Sequence, residues 1–211
     1  MSEWATNFLN TFVAVFVIVD PFAVVPVYLL LTDRLSHEAR RSTRHRASLA
    51  AGAILTTFAV TGLAIFRFFG ITLPAFQIAG GILLLLLGIA QLNANRSRVK
   101  QEEKDESLAR DDVSVFPLAT PLIAGPGAIS TVVLLSSQSK NFYQQMSLIL
   151  AILLALVANH VILKGAPILF KFLGQTGLNL ITRIMGIILT AMAIQFLLNG
   201  LDAAIGMMKN L

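Results

Sequence analysis

Two long apolar stretches of this sequence are interrupted near their middles. Asp20-Pro21 interrupts residues 8–32, and Gly125-Pro126-Gly127 interrupts residues 113–137. Each stretch is long enough to cross a bilayer, but proline removes a backbone donor and clashes with the preceding turn, so neither should form one straight helix. Interrupted helices are tolerated at membrane depth where they line a cavity, and many transporters bind substrate there. The two stretches therefore predict a transport site.

The composition identifies the class of protein. Hydrophobic residues make up 56% of the chain and charged residues 13%, whereas soluble domains contain about 45–50% and about 25%. We therefore expect an integral membrane protein whose surface partner is membrane lipid. The net charge of +5 does not indicate nucleic-acid binding, because the basic residues lie in short segments between apolar runs.

The sequence lacks the patterns of catalytic and metal sites. It contains no cysteine, and His37, His45 and His160 do not have the spacing of metal ligands. No nucleophile, base and oxyanion donors occur together. We therefore expect no enzyme, no metal and no cofactor. His160 lies near the end of an apolar run, where we expect its side chain to reach the membrane interface.

Charge-poor runs divide the chain into six predicted spans. Between them, residues 33–46 are predicted to form a polar loop and residues 96–112 a solvated linker. The spans are residues 8–32, 47–66, 75–91, 113–137, 146–163 and 184–201. The first and the fourth are the interrupted ones.

Basic residues are distributed unequally between the two sides of the membrane if the six spans alternate in direction. One side receives thirteen lysines and arginines, and the other receives three. Basic residues favour the cytoplasmic side. We therefore predict a multi-pass protein of the bacterial inner membrane, with the charged linker in the cytoplasm and both termini in the periplasm.

The two halves of the chain resemble each other. A shift of 105 residues pairs DPFA with GPGA, Gly81 with Gly186, and Gly88 with Ala193, and a shift of 104 pairs FRFFG with FKFLG. Three spans in each half force the second half to enter the membrane upside down. The sequence thus predicts an all-α membrane protein with six transmembrane helices in two inverted-topology three-helix repeats, with helices 1 and 4 broken near the midplane. The repeats are residues 1–95 and 113–211, joined by the linker 96–112.

The interruptions suggest a chemistry. Asp20 and Pro21 suit the N-cap and the first position of a new helix, and Gly125 and Pro126 suit them in the second repeat. Helix N-termini attract anions, while carbonyl groups freed before each interruption attract cations. A small zwitterion presents both charges. Because a carboxyl group at membrane depth is costly, Asp20 is also a candidate proton carrier; the alternative is that it only caps a proline kink.

The candidate substrate-binding residues surround these interruptions and include two glycines of the third span. For Gly81 and Gly88, which lie seven residues apart, the alternative is close helix packing. The predicted set is Asp20, Pro21, Ala23, Gly80, Gly81, Thr120, Pro121, Gly125, Pro126, Gly127 and Ala128.

Four motifs carry a family resemblance over essentially the whole chain. DPFAVVP, GITLPAFQIAGGILL, PLATPLIAGPGAI and ITRIMGIIL occur in order and resemble the MarC family of bacterial inner-membrane proteins. The resemblance implies six spans, kinship with the LysE-type exporter superfamily and, in some members, transport of small neutral amino acids such as glycine and alanine with proton coupling. Ala23 stands where many relatives carry glycine.

The predicted function is therefore secondary transport of small neutral amino acids or similar zwitterions, with a coupling proton as a second ligand. One alternative is an exporter of drugs or other amphiphilic metabolites, which would favour a wide, aromatic-lined cavity. The other is a structural membrane protein that transports nothing. The sequence leaves the substrate, the direction of transport and the oligomeric state open.

Overall fold

A computed structural model describes residues 3–92, 114–139 and 141–209. The predicted linker 96–112 lies outside the described residues. All regular elements within the described residues are helical. They are α1 (Glu3–Val19), α2 (Pro21–Thr32), α3 (His37–Phe68), α4 (Leu73–Leu92), α5 (Ser114–Ile123), α6 (Pro126–Gln138), α7 (Phe142–Lys164) and α8 (Ala166–Lys209).

Several of these helices can cross a membrane. Five segments are long and apolar enough, and the first of them, Trp4–Thr32, contains both α1 and α2. A sixth span results if α5 and α6, which meet at an angle of 57°, are counted together. The chain is therefore a multi-pass membrane protein with five or six spans.

The basic stretch after α2 is helical, which corrects the prediction of a loop over residues 33–46. Helix α3 begins at His37, and the Ser36 hydroxyl accepts a hydrogen bond from the Ala39 N–H at 3.2 Å. The Ser36 carbonyl accepts another from the Arg40 N–H at 2.8 Å. This capped start lets the helix extend beyond its apolar part, since long arginine side chains keep their charged ends in water.

Helix α8 starts much earlier than the predicted sixth span. It runs from Ala166 to Lys209, and Gly174 bends it with φ 59° and ψ −174°. Glycine adopts this backbone conformation without the steric cost of a Cβ. The part of α8 before Gly174 begins with the fully buried Ala166, while most of its other side chains are exposed.

Small residues hold α4 against α8 in antiparallel fashion. A Cβ on Gly81 would lie 3.0 Å from the Ala193 carbonyl oxygen, and one on Gly88 would lie 3.1 Å from that of Gly186. The backbones can approach this closely because no side chains separate them. The alternative interpretation of Gly81 and Gly88, close helix packing, is therefore confirmed.

Candidate functional site

The first interruption is a single residue, Asp20, between α1 and α2. Its backbone is left-handed, with φ 44° and ψ 65°, and its side chain is only 4% exposed. Asp and Asn adopt this conformation more readily than other non-glycine residues. Asp20 is the N-cap residue of α2, and its Oδ1 accepts a hydrogen bond from the Ala23 N–H at 3.2 Å. The Asp20 side chain thus caps the N-terminus of α2.

The second interruption lies between α5 and α6 and has no such group. Gly125 is the N-cap residue of α6 in an extended conformation, with φ −76° and ψ 172°, and no side chain caps this helix. A Cβ at position 125 would collide with the Pro121 carbonyl oxygen. Glycine is therefore required here by space, and the N-terminus of α6 lacks the acceptor that Asp20 supplies to α2.

The segment before the second interruption is not a regular α-helix. Phe116 and Thr120 have extended dihedrals, with φ −129° and −134° and ψ 126° for both. Each residue precedes a proline, Pro117 or Pro121, and the proline ring disfavours the helical region for the residue before it. The four-residue spacing of the two prolines thus produces wide turns, including a hydrogen bond from the Ala124 N–H to the Ala119 carbonyl oxygen at 2.8 Å.

One hydrophobic core connects the two interruptions. Its buried members include Val19 and Val24 beside Asp20, and Ala124 and Ala128 beside Gly125. Helix α2 also packs against α5, and α1 packs against α6. The fold therefore brings the candidate residues of both interruptions into the same packed region.

The remaining predicted residues fall into distinct environments. Pro21, Ala23 and Gly80 are buried, and a Cβ on Gly80 would lie 3.5 Å from Ser130 of α6. Gly81 belongs to the α4–α8 contact described above. Gly127 faces α4, where a Cβ would lie 2.7 Å from Leu87. Its small size therefore serves helix packing.

Pro121, Pro126 and Thr120 occupy the rim of the second interruption. The two prolines are exposed at the surface of the described chain, and Thr120 is half-buried. The Thr120 hydroxyl oxygen is nevertheless buried and has no hydrogen-bond partner among the described residues.

Two buried polar residues were missed by the sequence analysis. Thr131 of α6 is 1% exposed and Asn159 of α7 is 0% exposed. Neither the Thr131 hydroxyl nor either amide atom of Asn159 has a partner among the described residues. Leaving such a group unsatisfied costs about 1–3 kcal/mol. The available signal was the presence of hydroxyl and amide groups inside apolar spans.

A polar cleft of about 390 Å³ opens at the end of the bundle where α1 begins. Helices α1, α6 and α7 line it with uncharged amide and hydroxyl side chains, which the sequence analysis also missed. They include Asn7, Asn10, Thr11, Gln138, Gln144 and Ser147. The inner wall includes Ala14, six residues before Asp20, which corresponds to about 9 Å at ~1.5 Å per residue. The cleft therefore leads towards the first interruption.

His160 is bound to α3 at the opposite end of the bundle. Its Nε2 accepts a hydrogen bond from the Arg44 Nε at 3.3 Å, and its Nδ1 lies 3.2 Å from the Ser48 hydroxyl. Within the part of the chain that the structure describes, no three His, Cys, Asp or Glu side chains form a group that could hold a metal ion.

Comparison with known proteins gives a family and no substrate. A model described as MarC family integral membrane protein matches residues 5–205. A UPF0056 membrane protein of Aquifex aeolicus is 40% identical over 203 residues, which are 95% of this chain and 95% of that protein. MJ1677 of Methanocaldococcus jannaschii is 37% identical, over 94% of this chain and 97% of its own length.

A bacterial relative has a similar match. The UPF0056 membrane protein YhcE of Escherichia coli is 34% identical over 196 residues, which cover 92% of this chain and 91% of its own. No solved structure is significantly similar. With a family match over nearly its whole length, the chain belongs to the MarC family of integral membrane proteins.

Proposed function

We propose that this protein is a secondary transporter of small neutral amino acids of the glycine and alanine class, or of similar small zwitterions. The observation that carries the proposal is the difference between its two helix N-termini within one core. Asp20 caps α2 with a carboxylate, whereas α6 begins at Gly125 without a side-chain cap. A zwitterion offers a carboxylate to the second terminus and an ammonium group to the first carboxylate.

Substrate binding would use electrostatics that the backbone already provides. The N-terminus of a helix carries a partial positive charge and N–H groups that attract a carboxylate. In the proposed complex, the substrate carboxylate lies at the start of α6, near Gly127 and Ala128, and the Thr120 hydroxyl donates to it. The substrate ammonium group lies on the Asp20 side, where the negative charge stabilises it.

An inverted repeat would supply the two access states. Support comes from reciprocal packing: α2 packs against α7 and α8, and α6 packs against α3 and α4. Gly81 faces Ala193 and Gly88 faces Gly186, and the 105-residue shift exchanges these two contacts with each other. A two-fold relation in the membrane plane would produce both observations. Rocking of one half against the other would then expose the site to each side of the membrane in turn. In this arrangement the first and fourth transmembrane helices, residues 8–32 and 113–137, are broken near the midplane.

The cleft supports a small polar substrate over an amphiphile. Its wall is built from amides and hydroxyl groups of α1, α6 and α7, which hydrogen-bond polar molecules without selecting a net charge. With the orientation given by the positive-inside rule, both termini are periplasmic and this cleft is the periplasmic entrance of an inner-membrane transporter.

Asp20 would couple transport to protons. Among the described residues of α1 and α2 beyond the first turn, it is the only acid, and it is buried. An ionised carboxylate in this position holds the substrate ammonium group, and a protonated one releases it. Alternation between these two states would link substrate release to proton movement.

The proposal is tested with purified protein in liposomes and a radiolabelled panel of glycine, alanine, leucine, glutamate and a cationic drug. We expect saturable uptake of glycine or alanine, and accumulation under an imposed pH gradient. Empty liposomes and the Gly125→Ala protein serve as controls. Uptake of the drug without uptake of any amino acid would replace the proposal with the amphiphile exporter, and no saturable uptake at all would contradict transport.

A further inference from the structure

A second, cationic cavity lies at the end of the bundle away from the polar cleft. It has a volume of about 240 Å³ and is formed where α2 and α7 end and α3 begins. Such a volume is below the ~300–1,000 Å³ typical of pockets for drug-sized molecules, so it suits a single chemical group. Its basic wall consists of His37, Arg40, Arg41, Arg44 and Lys164.

Two guanidinium groups in this wall, those of Arg40 and Arg44, are held by neutral acceptors. Arg44 is only 8% exposed, and its Nε donates to a neutral acceptor, His160 Nε2. One Arg40 terminal nitrogen donates to the Thr32 carbonyl oxygen at 2.9 Å, while its Nε is buried without a partner among the described residues. No carboxylate from the described residues lines the cavity.

The other wall of the cavity is apolar. Tyr28, Leu163 and Pro167 form it, and the Tyr28 hydroxyl donates to the Arg40 carbonyl oxygen at 3.3 Å, which fixes α2 to α3. Arg44 is buried and Arg40 half-buried, and a buried cation is costly without an anion. Arginine binds phosphate oxygens through paired N–H donors. A phosphate group attached to an apolar body fits both walls.

We propose that this cavity, the α2–α3–α7 pocket, binds a phosphate group, with Arg40 and Arg44 as the fixed donors and Arg41 and Lys164 as mobile ones. The group belongs to an anionic phospholipid headgroup or to free phosphate. The apolar wall favours the lipid, whose glycerol and acyl parts would continue along Leu163 and Pro167. Such a lipid would join the start of α3 to the end of α7, and thus one helix of each proposed repeat to the other.

The test measures bound lipid by native mass spectrometry of the full chain in detergent, with phosphatidylglycerol or phosphatidylcholine added. We expect one retained phosphatidylglycerol per chain and much less phosphatidylcholine. Arg40→Gln/Arg44→Gln should reduce phosphatidylglycerol retention by about tenfold or more, because each removes a charge-assisted donor. Arg34→Gln is the matched control, since Arg34 is an exposed arginine at the same end of the bundle that does not line the pocket.

A second variant distinguishes loss of the pocket from misfolding of the protein. Arg41 is exposed and lines the pocket, so Arg41→Gln should leave the fold intact and still reduce retention several-fold. Thermal stabilisation by inorganic phosphate, lost in the double variant, would support the pocket with free phosphate as its occupant. Phosphatidylglycerol retention and phosphate stabilisation that are unchanged in all pocket variants would overturn the proposal. Binding that appears only after the acids of residues 102–112 are neutralised would also overturn it, by assigning the pocket to the linker.

Discussion

The two interruptions have similar sequences but differ in backbone conformation and in helix capping. The first is sharp: one left-handed residue, Asp20, ends α1 and caps α2 with its own carboxylate. The second is broad: α5 makes wide turns around two prolines, and Gly125 begins α6 without a side-chain cap. The N-terminus of α2 has a side-chain acceptor from its N-cap residue, and that of α6 has none. In the proposed repeat, this difference gives a pseudo-symmetric fold a site with two unlike ends, as binding a zwitterion requires.

The largest effect is expected from adding one carbon to the second interruption. In Gly125→Ala the new Cβ meets the Pro121 carbonyl oxygen, and relieving such overpacking typically costs about 1–3 kcal/mol. We expect a lower unfolding temperature in detergent and loss of uptake. Gly206→Ala is the control, because a Cβ at Gly206 meets nothing within 4 Å. Equal stability of both variants would remove the steric requirement from the comparison.

At the first interruption, stability should depend on the chemistry of the side chain at position 20 more than on its size. Asp20→Asn keeps both an acceptor oxygen and tolerance of a positive φ, so we expect nearly normal stability. Asp20→Gly loses the side-chain cap, at a cost of roughly a few tenths of a kcal/mol. Asp20→Ala loses about 1 kcal/mol with the cap and a further ~1–2 kcal/mol to the left-handed backbone. The expected order of unfolding temperatures is Asp, Asn, Gly, Ala.

Transport by Asp20→Asn separates the cap from the proton carrier. Asparagine cannot ionise, so we expect this variant to exchange substrate across liposomes but not to concentrate it under a pH gradient. Wild-type protein in the same liposomes, with and without the gradient, provides the reference. Full gradient-driven accumulation by the variant would leave Asp20 with a structural role only.

Asn159 of α7, whose amide has no partner among the described residues, tests how far the binding site extends from the first interruption. Helix α7 packs against both α1 and α2. Asn159→Leu has a similar volume and removes two unsatisfied polar atoms. We therefore expect an increase in stability of about 1 kcal/mol or more together with a large loss of uptake. Asn199→Leu is the matched control, since Asn199 is exposed and accepts from Gln195 on its own helix. Normal uptake by Asn159→Leu would restrict the site to the interruptions.

The smallest effect on stability is expected from labelling that tests the orientation of the second interrupted span in the membrane. Single cysteines at Ser107 and Ser139 in this cysteine-free chain should differ in reactivity towards an impermeant thiol reagent applied to intact cells. Ser139 follows α6, whose C-terminal end is predicted to face outwards, and should react; Ser107, in the predicted cytoplasmic linker, should not. Reaction of both with permeabilised cells controls for accessibility. Labelling at Ser107 in intact cells contradicts the predicted orientation.

Local signals predicted where the helices begin at the two interruptions. Asp20-Pro21 and Gly125-Pro126 marked the starts of α2 and α6, and the seven-residue spacing of Gly81 and Gly88 indicated the contact with α8. Proline and glycine act through backbone sterics within a few residues, so a single sequence contains this information.

The inward faces could not be predicted in the same way. Helices α2, α7 and α8 are apolar on all sides, so periodicity does not tell which side packs against protein and which against lipid. The burial of Thr131 and Asn159 and the assembly of the polar cleft from three helices depend on that choice. The helical start of α3 was missed because arginine-rich sequence was interpreted as a connection, although arginine favours helices.

The spacing of two charged residues on α8 can be compared with the thickness of a bilayer. Arg183 and Asp202 are both exposed and lie nineteen residues apart on this helix, a distance of about 29 Å at ~1.5 Å per residue. The hydrocarbon core of a typical bilayer is about 30 Å thick. We therefore expect the two charges to lie near its opposite boundaries and the ends of α8 to reach the headgroups. In a thinner membrane, either the bilayer would thicken locally to cover this apolar length or α8 would tilt, and α4, which packs along it, would tilt with it.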